Sequence, residues 1–214
     1  YKVLTGVARL TKDGQSVSGD TFSMINLPSG ELLMALSDGM GSGTSAFDDS
    51  KNVIELLEQM SEAGFSQTSA IRLINSLYVS DQEFENYATL DISLINLYKG
   101  ECSFLKNGAV GTYVLNQGKM YCIEGQSLPM GVVSDAEPYI GKMSLYPGDY
   151  VIMMTDGVAD MFSQERYNLE KFIKQIEIVN PGDMAQAIVD EAVSRNKGTV
   201  SDDMSVIVAG VWEN

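Results

Sequence analysis

Two aspartates stand out by where they fall. Asp38 closes the apolar run LLMALSDG and Asp156 closes YVIMMTDG, each with Ser or Thr before it and Gly after it. A carboxylate at the end of a buried strand is carried on a rigid element, and the following Gly lets the backbone turn and offer its carbonyl to a ligand. Asp20, in Ser18-Gly19-Asp20, opens another strand-like run, and Asp202-Asp203 stands just before the last one. Singly, each Asp-Gly pair reads as a turn, and Asp13-Gly14 is left there. Together, four acidic positions at strand ends could converge. Carboxylates packed side by side repel one another, and some must hold a proton unless divalent cations neutralise them.

The donors narrow the cation. The chain has no His, and both thiols, Cys102 and Cys122, lie in strand-like apolar stretches, so ligation falls to oxygen alone. That favours Mg²⁺, Mn²⁺ or Ca²⁺ over Zn²⁺, with Mg²⁺ or Mn²⁺ preferred. Two such ions about 3.5–4 Å apart activate a water and stabilise charge on a transferring phosphoryl group. Phosphate ester hydrolysis follows. The lack of His removes the serine triad, His-nucleophile phosphatases and His-liganded dinuclear hydrolases. Neither thiol fits a Cys-x5-Arg loop, since the residues six beyond Cys102 and Cys122 are Gly108 and Leu128. Gly39-x-Gly41-x-Gly43 has neither GxGxxG spacing nor a Walker lysine and reads as a strand-to-helix turn. A plain calcium-binding acidic protein ranks last, because no contiguous EF-hand loop is present.

Charge and size bound the partners. With 14 Lys+Arg against 29 Asp+Glu, the net charge of −15 argues against a nucleic-acid binder and against anionic membrane surfaces. Positive charge for a phosphate must then come from metal ions. At 214 residues and 44% apolar content, one packed domain spanning 1–214 is expected. Two cysteines make no disulfide framework, which suits a reducing cytoplasm. No run approaches the ~20 apolar residues that cross a bilayer. The chain opens at Tyr1, without Met, directly into a strand pattern. The expectation is a cytoplasmic domain cut from a longer protein, with any membrane anchor in flanking regions.

The elements that must position these residues follow from pattern. Val3 to Leu10, Thr21 to Leu27 and Glu31 to Ser37 are short apolar runs parted by Asp13-Gly14 and Pro28-Ser29-Gly30, hence antiparallel strands. Ser45 to Ala63 carries apolar residues at helical spacing before Gly64, and Ser66 can cap a second helix through Leu77. From Leu90 to Ile123 the segments DISLINLYK, CSFLKNG, GTYVLNQG and KMYCIEG suggest a meander of hairpins. Further strands are expected at Ile140 to Leu145 and Asp149 to Met154, helices at Leu169 to Val179 and Met184 to Ser194 with Asp183 as N-cap, and a last strand at Met204 to Trp212. Strands in runs with helices in pairs argue for an α+β domain, helices covering a mainly antiparallel β-structure.

The ordered set Ser18-Gly19-Asp20, Ser37-Asp38-Gly39-Met40-Gly41, Thr155-Asp156-Gly157 and Asp202-Asp203-Met204-Ser205 resembles the metal-dependent type 2C (PPM) serine/threonine phosphatases. Within that family it is most similar to the phosphatase domains of stage II sporulation protein E, through SDGMGSG, LPMG and DDMS, over Tyr1 to Trp212. The resemblance implies two antiparallel sheets packed as a sandwich with helix pairs outside, and two Mn²⁺ or Mg²⁺ ions. Asp38 would bridge both ions, Gly39 would lend its carbonyl, Asp156 and Asp202 would hold the first, and Asp20 would orient metal-bound waters. Aligning DDMS with the family's Asp-Asn-Met-Ser selects Asp202 over Asp203.

Two departures matter. Met40 stands where a His commonly follows the Asp-Gly, and Gly14 to Gly19 lacks the Arg that commonly grips phosphate. The sporulation relatives act on a phosphoserine of an anti-sigma-factor antagonist, and their helix pair serves as a regulatory switch and homodimer surface; the corresponding segment is 45–87. Its apolar stripe is more simply core packing, and different faces can do both. The alternative, a non-catalytic or weakly active phosphatase-like binding module, is motivated by the missing Arg and His. Intact acids at every motif count against it.

Overall fold

The computed structural model describes residues 1–80, 87–134, 136–162, 166–176 and 179–213, without the side chains of 166–168. Its elements are β1 (Lys2–Leu10), β2 (Asp20–Asn26), β3 (Glu31–Asp38), α1 (Thr44–Glu62), α2 (Gln67–Ser80), β4 (Leu90–Asn96), β5 (Glu101–Asn107), β6 (Thr112–Asn116), β7 (Lys119–Ile123), β8 (Tyr139–Ser144), β9 (Tyr150–Met154), α3 (Asp156–Ala159), α4 (Arg166–Gln175), α5 (Pro181–Arg195) and β10 (Met204–Trp212). The strands form two five-stranded antiparallel sheets, ordered β1-β10-β9-β6-β7 and β2-β3-β4-β5-β8. They pack face to face, with α1 and α2 outside one and α4 and α5 outside the other: an α+β sandwich.

Strand alternation explains the layers. In β3, Leu32, Met34 and Leu36 face the slot between the sheets, where they meet Phe104, Val114, Val151, Met153, Ile207 and Ala209. Leu33 and Ala35 point the other way, onto Val53, Ile54 and Leu57 of α1 and Ile71 and Ile74 of α2. In β9 and β10, Ile152, Met154, Val206 and Val208 turn outward onto Leu169 and Ile173 of α4 and Met184 and Ile188 of α5. A strand covered on both faces has no polar alternation to show, so β3, β9 and β10 read as unbroken apolar runs.

Three expectations from the sequence change. The 90–123 meander is two separate hairpins: β4 and β5 lie in one sheet and β6 and β7 in the other, the chain crossing the slot between Asn107 and Thr112. Hairpin chemistry fixes adjacent pairs but not the sheet a pair joins. The last long helix starts at Pro181, capped by Asn180, whose side chain accepts from the Gly182 and Asp183 amides, rather than by Asp183. Pro at the first helical position with Asn before it is the stronger start signal. The helix expected over 169–179 runs Arg166–Gln175, and residues 177 and 178 lie outside the described residues. Ser66 does cap α2, its hydroxyl accepting from the Ser69 amide at 3.2 Å.

Phe104 is fully buried between the sheets. Phe104→Ala is expected to lower unfolding stability by ~3–5 kcal/mol, whereas Val179→Ala, at an exposed position, should cost less than about 0.5 kcal/mol. Urea titration followed by far-UV circular dichroism measures both.

Candidate metal centre

The inward-facing stripe of each sheet turns from apolar to polar at one end of the sandwich. Beyond Leu36 in β3 comes Asp38; beyond Met153 in β9 comes Thr155, with Asp156 next; before Phe22 in β2 comes Asp20; before Ile207 in β10 come Ser205 and Asp203. Asp20 and Asp38 are cross-strand partners. The sheet ends thus bring together residues that lie far apart in sequence.

Local hydrogen bonds hold them. The Asp38 amide donates to Thr89 Oγ1 at 3.1 Å and the Thr89 amide donates back to the Asp38 carbonyl at 2.8 Å, extending the β3–β4 ladder to the carboxylate. Thr155 Oγ1 donates to Asp20 Oδ2 at 3.0 Å while accepting from the Ser205 amide at 3.0 Å, so the residue before Asp156 ties the two sheets together. The glycines after the acids serve close approach. A Cβ on Gly39 would collide with the Ala46 carbonyl oxygen, and one on Gly157 would collide with that of Asp203. Neither glycine has positive φ, so the turn-forming role expected of them gives way to packing against backbone; positive φ is found instead at Gly41 (100°) and Gly43 (76°), in the turn into α1.

Asp38, Gly39, Asp156 and Asp202 line one open cleft of about 200 Å³, with Met40, Tyr87, Thr89 and Pro129 on its walls. Asp20 lies behind it, fully buried, and its Oδ1 has no hydrogen-bond partner. The two neighbouring acids just before β10 divide. Asp203 is buried, with Oδ1 accepting from the Lys12 amide at 2.8 Å and Oδ2 from the Gly19 amide at 2.7 Å. Asp202 is half exposed, and its Oδ1 lies 3.5 Å from Lys12 Nζ. The carboxylate with freedom to turn into the cleft is therefore that of Asp202. Lys12 bears no mark in the sequence, because it sits before the Gly14–Gly19 stretch where a phosphate-gripping cation is expected.

The cluster is electrostatically strained. Burial, then the charges of Asp20, Asp156, Asp202 and Asp203, push Asp38 from 3.8 up to about 8. Burial lifts Asp20 to about 7, with Asp203 and Asp156 adding and neighbouring hydroxyls opposing. Asp156 faces the cleft, yet desolvation and Asp202 raise it too. Among the described residues no three His, Cys, Asp or Glu side chains are gathered around a single point. Oxygen-only donors, a buried carboxylate oxygen without a partner and acids pushed toward neutrality all fit hard divalent cations.

Residues 28–212 match the family described as stage II sporulation protein E. The stage II sporulation protein E of Priestia megaterium is 35% identical over 217 residues, an alignment that takes in 100% of this chain and 37% of that protein. The chain thus spans little more than a third of that relative's length. Among solved structures, the PP2C phosphatase domain of SpoIIE from Bacillus subtilis, with a fragment of its regulatory domain, superimposes with a TM-score of 0.91 at 32% identity, covering 100% of this chain and 63% of that one. The catalytic domain of the serine/threonine phosphatase PstP, solved with 2 manganese ions, shares the fold at 18% identity and a TM-score of 0.79, covering 99% of each.

The raised acids set a pH dependence. An aspartate at 3.8 unfolded and about 8 folded binds its proton in the folded chain through that window. The folded state then holds more protons, so its contribution is full below about pH 4 and is lost as pH rises through about 8. In EDTA, wild-type stability should fall from pH 5 to pH 8.5 relative to Asp38→Asn, the variant ending roughly 1–3 kcal/mol the more stable at pH 8. Calorimetry at stepped pH reads this, and a constant difference would contradict it.

Proposed function

The chain belongs to the stage II sporulation protein E family and has the fold of a PP2C serine/threonine phosphatase domain, and on that premise we propose that it hydrolyses phosphoserine or phosphothreonine on a protein, using two Mn²⁺ or Mg²⁺ ions. The observation that carries this reading is the cleft in which Asp38 and Asp202, from opposite sheets, meet with Asp156 under mutual repulsion. Asp38 would lie between the ions and the Gly39 carbonyl beside it, Asp156 and Asp202 would hold one ion, and Asp20 would accept from waters behind. When bound, the ions supply the positive charge and water activation that phosphoester cleavage requires.

The chain's own residues shape what enters. The cleft is open, and its walls at Met40, Tyr87 and Pro129 offer no guanidinium to a phosphate. Lys12, one-third exposed beside Asp202, is the ammonium at its rim among the described residues. Affinity then comes from a protein surface rather than from the phosphate, consistent with a folded phosphoprotein substrate of the anti-sigma-factor antagonist type. The exposed Leu73 and Leu77 of α2, with Phe65 in the turn before it, would form a homodimer surface; of the 45–87 segment, 81–86 lie outside the described residues. No described helix is long and apolar enough to cross a membrane.

Two experiments bear on this. Mn²⁺-dependent phosphate release from a phosphoserine antagonist protein should drop at least about 100-fold in Asp38→Asn and in Asp156→Asn; metal-independent turnover, or full turnover in both variants, refutes the reading. Sedimentation should show Leu73→Glu/Leu77→Glu shifted toward monomer, and an unchanged distribution removes the dimer surface.

A further inference from the structure

Beneath the cleft lies a buried ion pair that no step of hydrolysis uses. Asp91 of β4 and Lys106 of β5 are cross-strand partners, their side chains 2% and 0% exposed, with Lys106 Nζ 2.7 Å from Asp91 Oδ2. The ammonium also donates to Thr112 Oγ1 and to the Val110 carbonyl, each at 2.7 Å, and the Thr112 hydroxyl donates to Asp91 Oδ2 at 2.6 Å. All three ammonium donors are spent. Alternation places the three side chains in the slot: Leu90 and Ile92 of β4 face the helices, Phe104 of β5 and Val114 of β6 face inward, so Asp91, Lys106 and Thr112 do too.

Stability alone does not account for such a pair, since well-packed apolar residues in its place are often as stable or more so. Its geometry suggests another purpose. Asp91 and Lys106 belong to the sheet that carries Asp38, while Thr112 belongs to the sheet whose β9 leads to Asp156, β6 pairing directly with β9. The spacing of Asp38 and Asp156 is a distance between sheets. Apolar contact across the slot is non-directional, whereas hydrogen bonds fix separation and angle, and a metal site needs its ligands held to within about 0.5 Å. A cavity of about 30 Å³ joins the two features, lined by Asp38, Thr89, Asp91, Thr155 and Asp156. Asp91 Oδ1 is buried without a partner, and a space of this size beside it has room for a single bridging water.

We propose that the Asp91–Lys106–Thr112 network is a positioning device: it sets the spacing of Asp38 and Asp156 across the two sheets and thereby the affinity of the cleft for divalent cations. This rests on the metal-dependent reading above. The test is Mn²⁺ binding by calorimetry, with the electron paramagnetic resonance of bound Mn²⁺ as a second readout that needs no turnover. Asp91→Leu/Lys106→Met keeps the slot apolar and filled; it should unfold cooperatively yet bind Mn²⁺ about 10- to 100-fold more weakly, with a broadened bound-Mn²⁺ signal. Ile188→Ala, on the buried face of α5, should lose stability without change in Mn²⁺ affinity. If the double variant does not fold, Thr112→Val decides, since it cuts the link to the second sheet and leaves the ion pair; it should weaken Mn²⁺ several-fold. Unchanged affinity in the folded variants overturns the inference while leaving the metal reading intact. Wild-type protein that binds no Mn²⁺ overturns both.

Discussion

Acidic side chains from both sheets are drawn out of water at the same end of the slot, and the rest of the site is arranged around their mutual repulsion. Asp38 is raised to about 8 by burial and by four neighbouring carboxylates, and Asp20 behind it to about 7. Such a cluster survives in a folded chain only because the sandwich on which it sits is anchored elsewhere. Three separate apolar cores, one in the slot and one under each helix layer, hold the strands whose ends carry the acids. Burial far from the cleft offsets the strain within it, the usual relation between a rigid scaffold and a functional site.

The strands transmit this rigidity because Asp20, Asp38 and Asp203 continue inward-facing stripes and Asp156 directly follows Thr155, which continues another. The ladder runs unbroken through Asp38 to Thr89, and the Thr155 hydroxyl between Asp20 and the Ser205 amide crosses from sheet to sheet at the floor of the cleft. Gly39 and Gly157 let helix α1 and strand β10 come within backbone contact of the acids. A methyl at either position would force these backbones apart.

What can be read in the sequence follows from local periodicity. Asp38 and Asp156 are visible because each ends an unbroken apolar run, and those runs are apolar because helices cover the outer faces of β3 and β9. The Asn107-Gly108 turn is legible, but not that the chain there leaves one sheet for the other, since that depends on contacts between strands distant in sequence. Lys106, next to that turn, is fully buried, which nothing in the residues around it announces. Asp203 reads as a twin of Asp202, yet both its oxygens are taken by the amides of Lys12 and Gly19, nearly two hundred residues away. Each miss is a tertiary partner that no local pattern announces.

The charge balance at this end of the molecule explains why the centre of the cluster stays open to cations. Asp20, Asp38, Asp91, Asp156, Asp202 and Asp203 lie together, and among them in the described structure are two ammonium groups and the Arg9 guanidinium, which donates to the Asp20 carbonyl oxygen at 3.5 Å and not to a carboxylate. Lys106 is fully spent on Asp91, Thr112 and Val110. Lys12 stands at 3.5 Å from the half-exposed Asp202, where solvent screening leaves such a pair little strength. Neither ammonium makes a salt bridge to Asp38, Asp20 or Asp156, the acids whose protonation is raised. The protein's own cations therefore organise the periphery of the cluster and leave its centre to be neutralised from outside, by protons in the bare chain or by divalent ions. Competition between those two makes cation binding at this cleft strongly dependent on pH, with protons and metal contending for the same oxygens.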